Sequence, residues 1–251
     1  MNKKIIAVFC AVILMASVFS ACGKKKLYTH EIGGKQQPVV TDENNDFVTN
    51  AQGEIAVYVT DANGETLTAE NGDPNINYIT PPNALVHPNN TFVVENFTLK
   101  IPDGWYGDSN GSLYKKDTDM KCYIKAIYEA TATAENPFES YIDALLVQNK
   151  EIIAAINNGS DAAKQAGYIK AEYTSENFSF QNYAGHKLSY TFYGNNGQVV
   201  HYAENLYFML DDGTIYSIDY ACVDGVGYDS SFNFAEWATK NVTFTEPITK
   251  E

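Results

Sequence analysis

Alternation of apolar and polar residues in the second half of the chain restricts its fold more than any other feature. Residues 187–193, 199–210 and 214–222 alternate with a period of two, which is the period of a half-buried β-strand. Short turn sequences separate these runs, with Asn196-Gly197 before the second and Asp211-Asp212-Gly213 before the third. Strands joined by such short turns pair antiparallel. Further strands are predicted over residues 91–101, 112–116, 121–130, 168–174 and 177–182. The pattern therefore predicts an antiparallel sheet.

Helical patterns interrupt the strands at two main places. Asn136-Pro137 is typical of an N-cap followed by a first-turn proline, and an apolar face with helical spacing continues to about residue 157. A short helix is predicted over 160–166 and a closing helix over 231–241, followed by a strand over 242–244. The order of strands, helix, strands and helix predicts an α+β fold in which helices cover a twisted antiparallel sheet.

Four short motifs occur in this region in a characteristic order. They are the segment from Phe97 to Trp105 with its Pro-Asp-Gly turn, the segment from Ala184 to Lys187, the segment from Asp212 to Ile218, and the pair Ser231-Phe232. Together they resemble the PsbP-like family, which includes PsbP, Mog and DcrB-type proteins, over about residues 90–246. The stretch 157–171 departs from the family pattern. The resemblance implies an α/β/α sandwich and an accessory or binding role without a shared catalytic centre, so no functional residue is carried over.

The first 22 residues have the pattern of an export signal. Lys3 and Lys4 precede an apolar run over residues 5–19, and the small residues Ser20 and Ala21 precede Cys22. The apolar run is shorter than the roughly 20 residues that a membrane-spanning helix needs. Residues 1–21 are therefore predicted to be a signal peptide.

Cys22 is the predicted site of lipid attachment. The sequence from Phe19 to Cys22 resembles the lipobox of bacterial lipoproteins, although Phe19 stands where Leu is usual. Two acyl chains hold a protein firmly on a bilayer, whereas one binds only marginally. The basic residues Lys24, Lys25 and Lys26 follow at once and suit anionic headgroups. We expect a protein anchored to the extracytoplasmic face of the cell membrane through a diacylglyceryl-cysteine.

The charge of the mature chain argues against nucleic acid as a partner. After removal of residues 1–21, 15 Lys and 31 Asp and Glu remain, and the chain contains no Arg. Binding to phosphate backbones needs clustered positive charge, and bidentate recognition of guanine relies on Arg.

Residues 22–88 are predicted to be a low-complexity tether between the anchor and a domain over 89–246, with 247–251 as a tail. A degenerate unit recurs four times, beginning at Val40, Val48, Val59 and Leu67, and each copy has one apolar residue, then Thr, then polar turn formers. One apolar residue per unit buries too little surface to offset chain entropy. As a coil, the segment would span roughly 45 Å.

Few residues suggest chemistry. Cys122 and Cys222 form either a disulfide, as the compartment permits, or two buried reduced thiols. His186 and His201 are predicted to lie on neighbouring strands, too small a set for a metal site, and no cofactor is expected. The paired carboxylates Asp211 and Asp212 lie in a turn that they are expected to serve. Enzymatic activity is not expected.

Tyrosine is frequent, with 18 residues in the chain. Most of the rings in the late strands are predicted to be core, and any exposed ones would suit protein or glycan recognition. We expect a non-enzymatic binding or accessory module acting on an envelope protein or complex. The alternatives are a protein that binds a glycan or small ligand, which aromatic side chains around a cleft would favour, and a hydrolase.

Overall fold

The computed structural model describes residues 27–245. These residues divide into two compact units, the first comprising residues 27–82 and 87–89 and the second comprising residues 83–86 and 90–245. The predicted signal peptide 1–21, the lipidation site Cys22, the basic residues Lys24, Lys25 and Lys26, and the tail 247–251 lie outside the described residues.

The first unit contains two short antiparallel hairpins and a set of repeated turns. Strand β1 (Thr29–Ile32) pairs with β2 (Lys35–Pro38), and β3 (Ile55–Tyr58) pairs with β4 (Ile76–Ile79). The four predicted repeats, two before β3 and two between β3 and β4, each form a tight turn closed by an isolated bridge. The bridges join Thr41 to Phe47, Thr49 to Ile55, Thr60 to Thr66 and Thr68 to Pro74.

Backbone hydrogen bonds join the repeats into rings of three. The amide of Val48 donates to the carbonyl of Val40 at 3.0 Å, that of Ala56 to Val48 at 2.8 Å, and that of Val40 to Ala56 at 3.0 Å. The same closed cycle recurs 19 residues later, among Val59, Leu67 and Asn75. The repeat spacing read from the sequence is therefore the spacing of these two rings.

The prediction of an irregular tether is wrong for these residues, because their turns satisfy the backbone locally. In three of the four turns an Asp or Asn side chain accepts two backbone N–H groups; for example, Asp61 Oδ1 accepts from Asn63 at 2.8 Å and Glu65 at 2.9 Å. Asp42 and Asn50 do the same. Such Asx turns hold a loop without a large core, which a count of apolar residues alone overlooks.

The second unit contains two antiparallel sheets. Their strands are β5 (Ala84–Val86), β6 (Thr91–Val94), β7 (Phe97–Lys100), β8 (Trp105–Asp108), β9 (Ser112–Lys115), β10 (Cys122–Thr131), β11 (Lys170–Phe180), β12 (Tyr183–Tyr193), β13 (Val199–Met209), β14 (Thr214–Val223) and β15 (Val242–Phe244). The smaller sheet has the strand order β15-β7-β6-β5, and the larger has the order β11-β12-β13-β14-β10-β9-β8.

Three helices complete the unit: α1 (Phe138–Asn157), α2 (Asp161–Gln165) and α3 (Phe234–Asn241). Helix α1 lies against the outer face of the large sheet, which is the face opposite the small sheet. In the described part of the chain, no other helix of eight residues or more does so. The buried residue Ile142 of α1 joins Leu188 and Tyr207 of that face. Among the residues described, no helix is both long and apolar enough to cross a bilayer.

The predicted helix-covered sheet, the α/β/α sandwich, is wrong. The unit is mostly antiparallel sheet and resembles a β-sandwich. Phe92, Leu99 and Phe244 of the small sheet join Phe208 and Tyr220 of the large sheet in one core. The apolar face of each sheet is therefore covered by the other sheet. A period-two pattern shows that one face of a strand is buried, but it does not distinguish cover by strands from cover by helices.

Most predicted elements occur, with shifted ends. The predicted strand over residues 91–101 is a hairpin, β6 and β7, and the two strands predicted over 168–182 are the single strand β11. Strand β5 lies within the predicted tether and pairs with β6. Asn136 does not cap α1, whose N-cap is Pro137, and α3 begins at Phe234 instead of at Ser231.

Candidate functional site

Residues on the outer face of the large sheet form rows across its strands. Leu206 of β13 and Ile218 and Tyr220 of β14 belong to the core between the two sheets. The alternate side chains of these strands therefore point to the outer face of the large sheet. Tyr123 lies opposite both Tyr114 and Ala221, and the registers of the other strands extend this line to both edges. The full tyrosine row is Tyr106, Tyr114, Tyr123, Ala221, Ala203, Tyr190 and Tyr173.

Two alanines interrupt this row and leave a notch between tyrosines. Tyr123 and Tyr190 flank Ala221 and Ala203, which lie directly opposite each other on β14 and β13. Three strand spacings separate the two tyrosines, about 14 Å between their Cα atoms. We call this feature the notch, with the alanines as its floor and the tyrosines as its two walls.

A polar row borders the notch one step along the strands. Lys125, Asp219 and Asn205 follow one another on β10, β14 and β13. Asp219 Oδ1 is fully buried and receives no hydrogen bond from any described residue. Burial raises the pKa of Asp219 to about 6, against the lowering effects of Asn205 and Ser217. A buried oxygen without a donor is costly unless a ligand or water supplies one.

Glu129, a second carboxylate close to Asp219, is fully engaged. Ser217 Oγ donates to its Oε1 at 2.7 Å, and the hydroxyl of Tyr141 on α1 donates to its Oε2 at 3.0 Å. This arrangement ties helix α1 to the sheet. Glu129 therefore serves the fold, whereas Asp219 Oδ1 is buried without a donor among the described residues.

Helix α1 also fixes the orientation of one wall of the notch. Asn149 Nδ2 donates to the hydroxyl of Tyr190 at 2.7 Å. Burial raises the pKa of Tyr190 to about 12, so its hydroxyl stays protonated at neutral pH. The opposite wall, Tyr123, packs edge-on against Tyr114 with ring centroids 6.3 Å apart. Both walls are therefore held by neighbours.

The structure does not bring the two predicted histidines together. His186 lies opposite Tyr207, and His201 lies opposite Phe192, which places them six residues apart along β13, or about 20 Å. His186 Nε2 is 2.7 Å from Ser175 Oγ. Within residues 27–245, no group of three or more His, Cys, Asp or Glu side chains is arranged to hold a metal ion.

The other predicted side chains have structural surroundings. Asp212 Oδ1 accepts the amide of Thr214 at 2.9 Å, so it serves the turn as expected. Cys122 lies directly opposite Cys222, with their Sγ atoms 2.8 Å apart. Of the seven tyrosines in β12 to β14, Tyr207, Tyr216 and Tyr220 are buried and the other four are partly buried.

A cleft of about 310 Å³ lies elsewhere in the second unit, between the loop at Gly167 and the turn at Asn196. Its one charged lining residue, Asp224, is engaged by Lys121 at 2.8 Å. Glu204 also has a buried oxygen without a donor, but it lies on the sandwich side of the sheet beside Tyr202. Neither place has, on the outer face of the sheet, a side-chain oxygen without a donor next to two tyrosines of one cross-strand row, as the notch does.

No protein-family model matches this chain, and no curated protein is similar enough to count as a match. The resemblance to the PsbP-like family therefore stays a prediction. The α/β/α sandwich that it implied is wrong, because the second unit resembles a β-sandwich.

Sequence reasoning missed the notch, although a signal for it was present. Ser217, Asp219 and Ala221 alternate with the buried Ile218 and Tyr220 along β14, so one face of a central strand is polar or small. The matching small residue on β13, Ala203, becomes meaningful only when the register between the strands is known.

Proposed function

We propose that this protein is a lipid-anchored, non-enzymatic binding module on the extracytoplasmic face of the cell membrane, and that its ligand is a saccharide. The ligand class is inferred from Asp219, whose buried Oδ1 lacks a donor among the described residues. This residue lies beside the notch between Tyr123 and Tyr190. The anchor rests on Cys22 and the sequence before it.

The chemistry of the notch suits a sugar ring. The ring carries apolar C–H groups on its faces and O–H donors around its rim. Tyrosine rings accept the C–H groups on their negative π-faces, and Asp219 together with Asn205 offers acceptors for the hydroxyls. The alanine floor places no side-chain atom beyond Cβ between the two walls, and Ala203 is partly exposed while Ala221 is buried.

Charge favours a neutral or amino-bearing saccharide over an anionic one. Asp219 borders the notch, and the mature chain carries 31 Asp and Glu against 15 Lys. Lys125 is the one cationic side chain in the polar row, which also includes Asp108. A phosphorylated or carboxylated sugar would meet net repulsion.

The proposal excludes hydrolysis for a geometric reason. Glycoside hydrolysis ordinarily uses two carboxylates flanking the scissile bond. Both oxygens of Glu129 are engaged by Ser217 and Tyr141, and Asp108, the other carboxylate of the polar row, lies three strand spacings from Asp219, about 14 Å. The module is thus proposed to bind its ligand without cleaving it.

Calorimetry with neutral and amino-sugar oligosaccharides tests the ligand class. We expect binding that Tyr123→Ala abolishes and that Tyr128→Ala leaves unchanged, because Tyr128 is an exposed tyrosine of the same strand outside the row. Absence of saccharide binding, with specific co-purification of one envelope protein, would instead support the accessory role that the sequence suggested. Release of reducing ends would count against a non-enzymatic role.

Palmitate labelling tests the anchor separately. Cys22→Ala should abolish labelling and release the protein from membranes, while Cys10→Ala, inside the predicted signal peptide, should change neither. Retention of the Cys22→Ala variant on membranes would overturn the location.

A further inference from the structure

The pairing of β10 with β14 places two thiols in contact. Cys122 and Cys222 are directly opposite in the register of these strands, and their Sγ atoms are 2.8 Å apart. Opposite residues of an antiparallel pair have Cα atoms about 4.5 or 5.5 Å apart, and both values lie within the range that disulfides use. A bond between the sulfurs therefore requires only small side-chain rotations.

The surroundings of the pair are closed. Both cysteines are 0% exposed, and the Tyr220 hydroxyl lies 3.2 Å from Cys222 Sγ. Gly227 covers the other side; a Cβ atom at this position would come within 2.9 Å of Cys122 Cβ and 2.8 Å of a Thr118 methyl carbon. Reagents in solution have no contact with either sulfur in the folded protein.

We propose that Cys122 and Cys222 form an intramolecular disulfide as the protein folds, and that this bond is a permanent cross-link rather than a redox switch. Formation in the cell depends on the extracytoplasmic location proposed above, where thiol oxidation is permitted. The cross-link joins β10 and β14, two interior strands of the large sheet.

The reaction is a thiol–disulfide exchange with a small disulfide such as oxidised glutathione. One cysteine thiolate attacks the small disulfide, forms a mixed disulfide and releases one reduced thiol. The second cysteine then loses its proton, attacks the mixed bond and releases a second reduced thiol. Two cysteine thiols lose two protons and two electrons, and the small disulfide is reduced to two thiols. In the folded protein, the hydrogen bond between the two thiols lowers the pKa of Cys222 and raises that of Cys122.

Thiol counting on the purified full-length lipoprotein tests the bond. The protein is refolded in a buffer of oxidised and reduced glutathione, quenched with acid, denatured and treated with a maleimide of high mass. Peptide mapping locates the adducts, because Cys10 and Cys22 would also react in a chain that is neither cleaved nor acylated. We expect Cys122 and Cys222 to carry no adduct without reductant and one adduct each after reduction. Adducts on both without reductant would overturn the pairing wherever the protein resides. The same mapping on protein trapped directly in cells reports the compartment, so failure of the location shows as adducts on Cys122 and Cys222 in cells with a bridge after refolding.

Native reduction separates a cross-link from a switch. Reductant added to the folded, bridged protein should produce thiols only as fast as the protein unfolds, and rising denaturant should accelerate both together. Rapid reduction with the sheet intact would overturn the permanent role. The Cys122→Ser/Cys222→Ser variant should melt roughly 5–10 °C below the bridged protein, and the reduced wild type provides the same comparison should that variant fail to fold.

Discussion

Tyr123 and Tyr190 stand in one cross-strand row of the large sheet, separated only by Ala221 and Ala203. Tyrosines occupy the row on both sides, whereas the two alanines place no side-chain atom beyond Cβ between them. Asp219, whose Oδ1 has no donor among the described residues, lies on the same face of β14 two residues from Ala221.

Asp219→Asn should stabilise the protein at neutral pH and weaken its binding. The folded-state pKa of about 6 exceeds the ordinary value of 3.8, so the folded protein holds a proton that the unfolded chain has released. Stability contributed by this group is therefore greatest below about pH 4 and falls as the pH rises to about 6. The loss is up to about 3 kcal/mol.

Thermal unfolding of both proteins at pH 5 and pH 7.5 measures this effect. The variant should melt higher than the wild type at pH 7.5 and show a smaller difference between the two pH values. Saccharide binding by the variant, measured in parallel, should fall by tenfold or more, because a charged acceptor is lost. A lower melting temperature at pH 7.5 would show that the fold already satisfies the carboxylate.

Ala203→Leu should block the notch without unfolding the sheet. Ala203 is partly exposed, so a larger side chain extends over the floor between the two tyrosines instead of into the core. We expect a loss of saccharide affinity of at least tenfold and a change in unfolding free energy within about 0.5 kcal/mol. Val147→Leu, on the exposed surface of α1, is the control, and equal binding by all three proteins would rule out the notch.

Gly185→Ala should destabilise the large sheet more than Gly107→Ala does. A Cβ at Gly185 would lie 2.1 Å from the carbonyl oxygen of Tyr207, a backbone atom of the paired strand. At Gly107 the nearest atoms belong to the Phe92 and Val86 side chains, at 2.6 and 2.7 Å. Side chains adjust more easily than paired backbone.

Urea unfolding followed by circular dichroism compares the two glycine variants. Gly107→Ala should cost about 1–3 kcal/mol, and Gly185→Ala should cost more or prevent folding. The reverse order would mean that the close approach of β12 and β13 is not maintained in solution.

Ala69→Asp should strengthen the fourth turn of the first unit. Asp42, Asn50 and Asp61 occupy the equivalent position in the other three turns, and each accepts two backbone amides. Ala69 has no side-chain acceptor, and Asn71 Oδ1 instead accepts the amide of Asp73 at 3.2 Å. Hydrogen exchange at Asn71 and Asp73 should slow in the variant, while Ala69→Ser should show a smaller effect. Unchanged exchange at both amides would contradict the turn geometry.

The accuracy of the sequence predictions differed with the kind of information that each needed. Strands β10, β13 and β14 and helix α1 were located within a few residues, because side-chain periodicity is a local property. The antiparallel hairpins followed from Asn196-Gly197 and Asp212-Gly213. The tether was misjudged because its stabilising bonds run from turn side chains to the backbone and add little to apolar content.

By itself, the sequence determined which residues alternate, where the chain turns, and which cysteine carries the features of a lipid-attachment site. Only the tertiary structure decided that a second sheet covers the first, since a buried apolar row has the same pattern beneath strands as beneath helices. It also decided that Tyr123, Ala221, Ala203 and Tyr190 share a row and that Cys122 meets Cys222. Contacts between strands far apart in the chain depend on register, and a shift of one residue would turn every side chain of a strand to the other face.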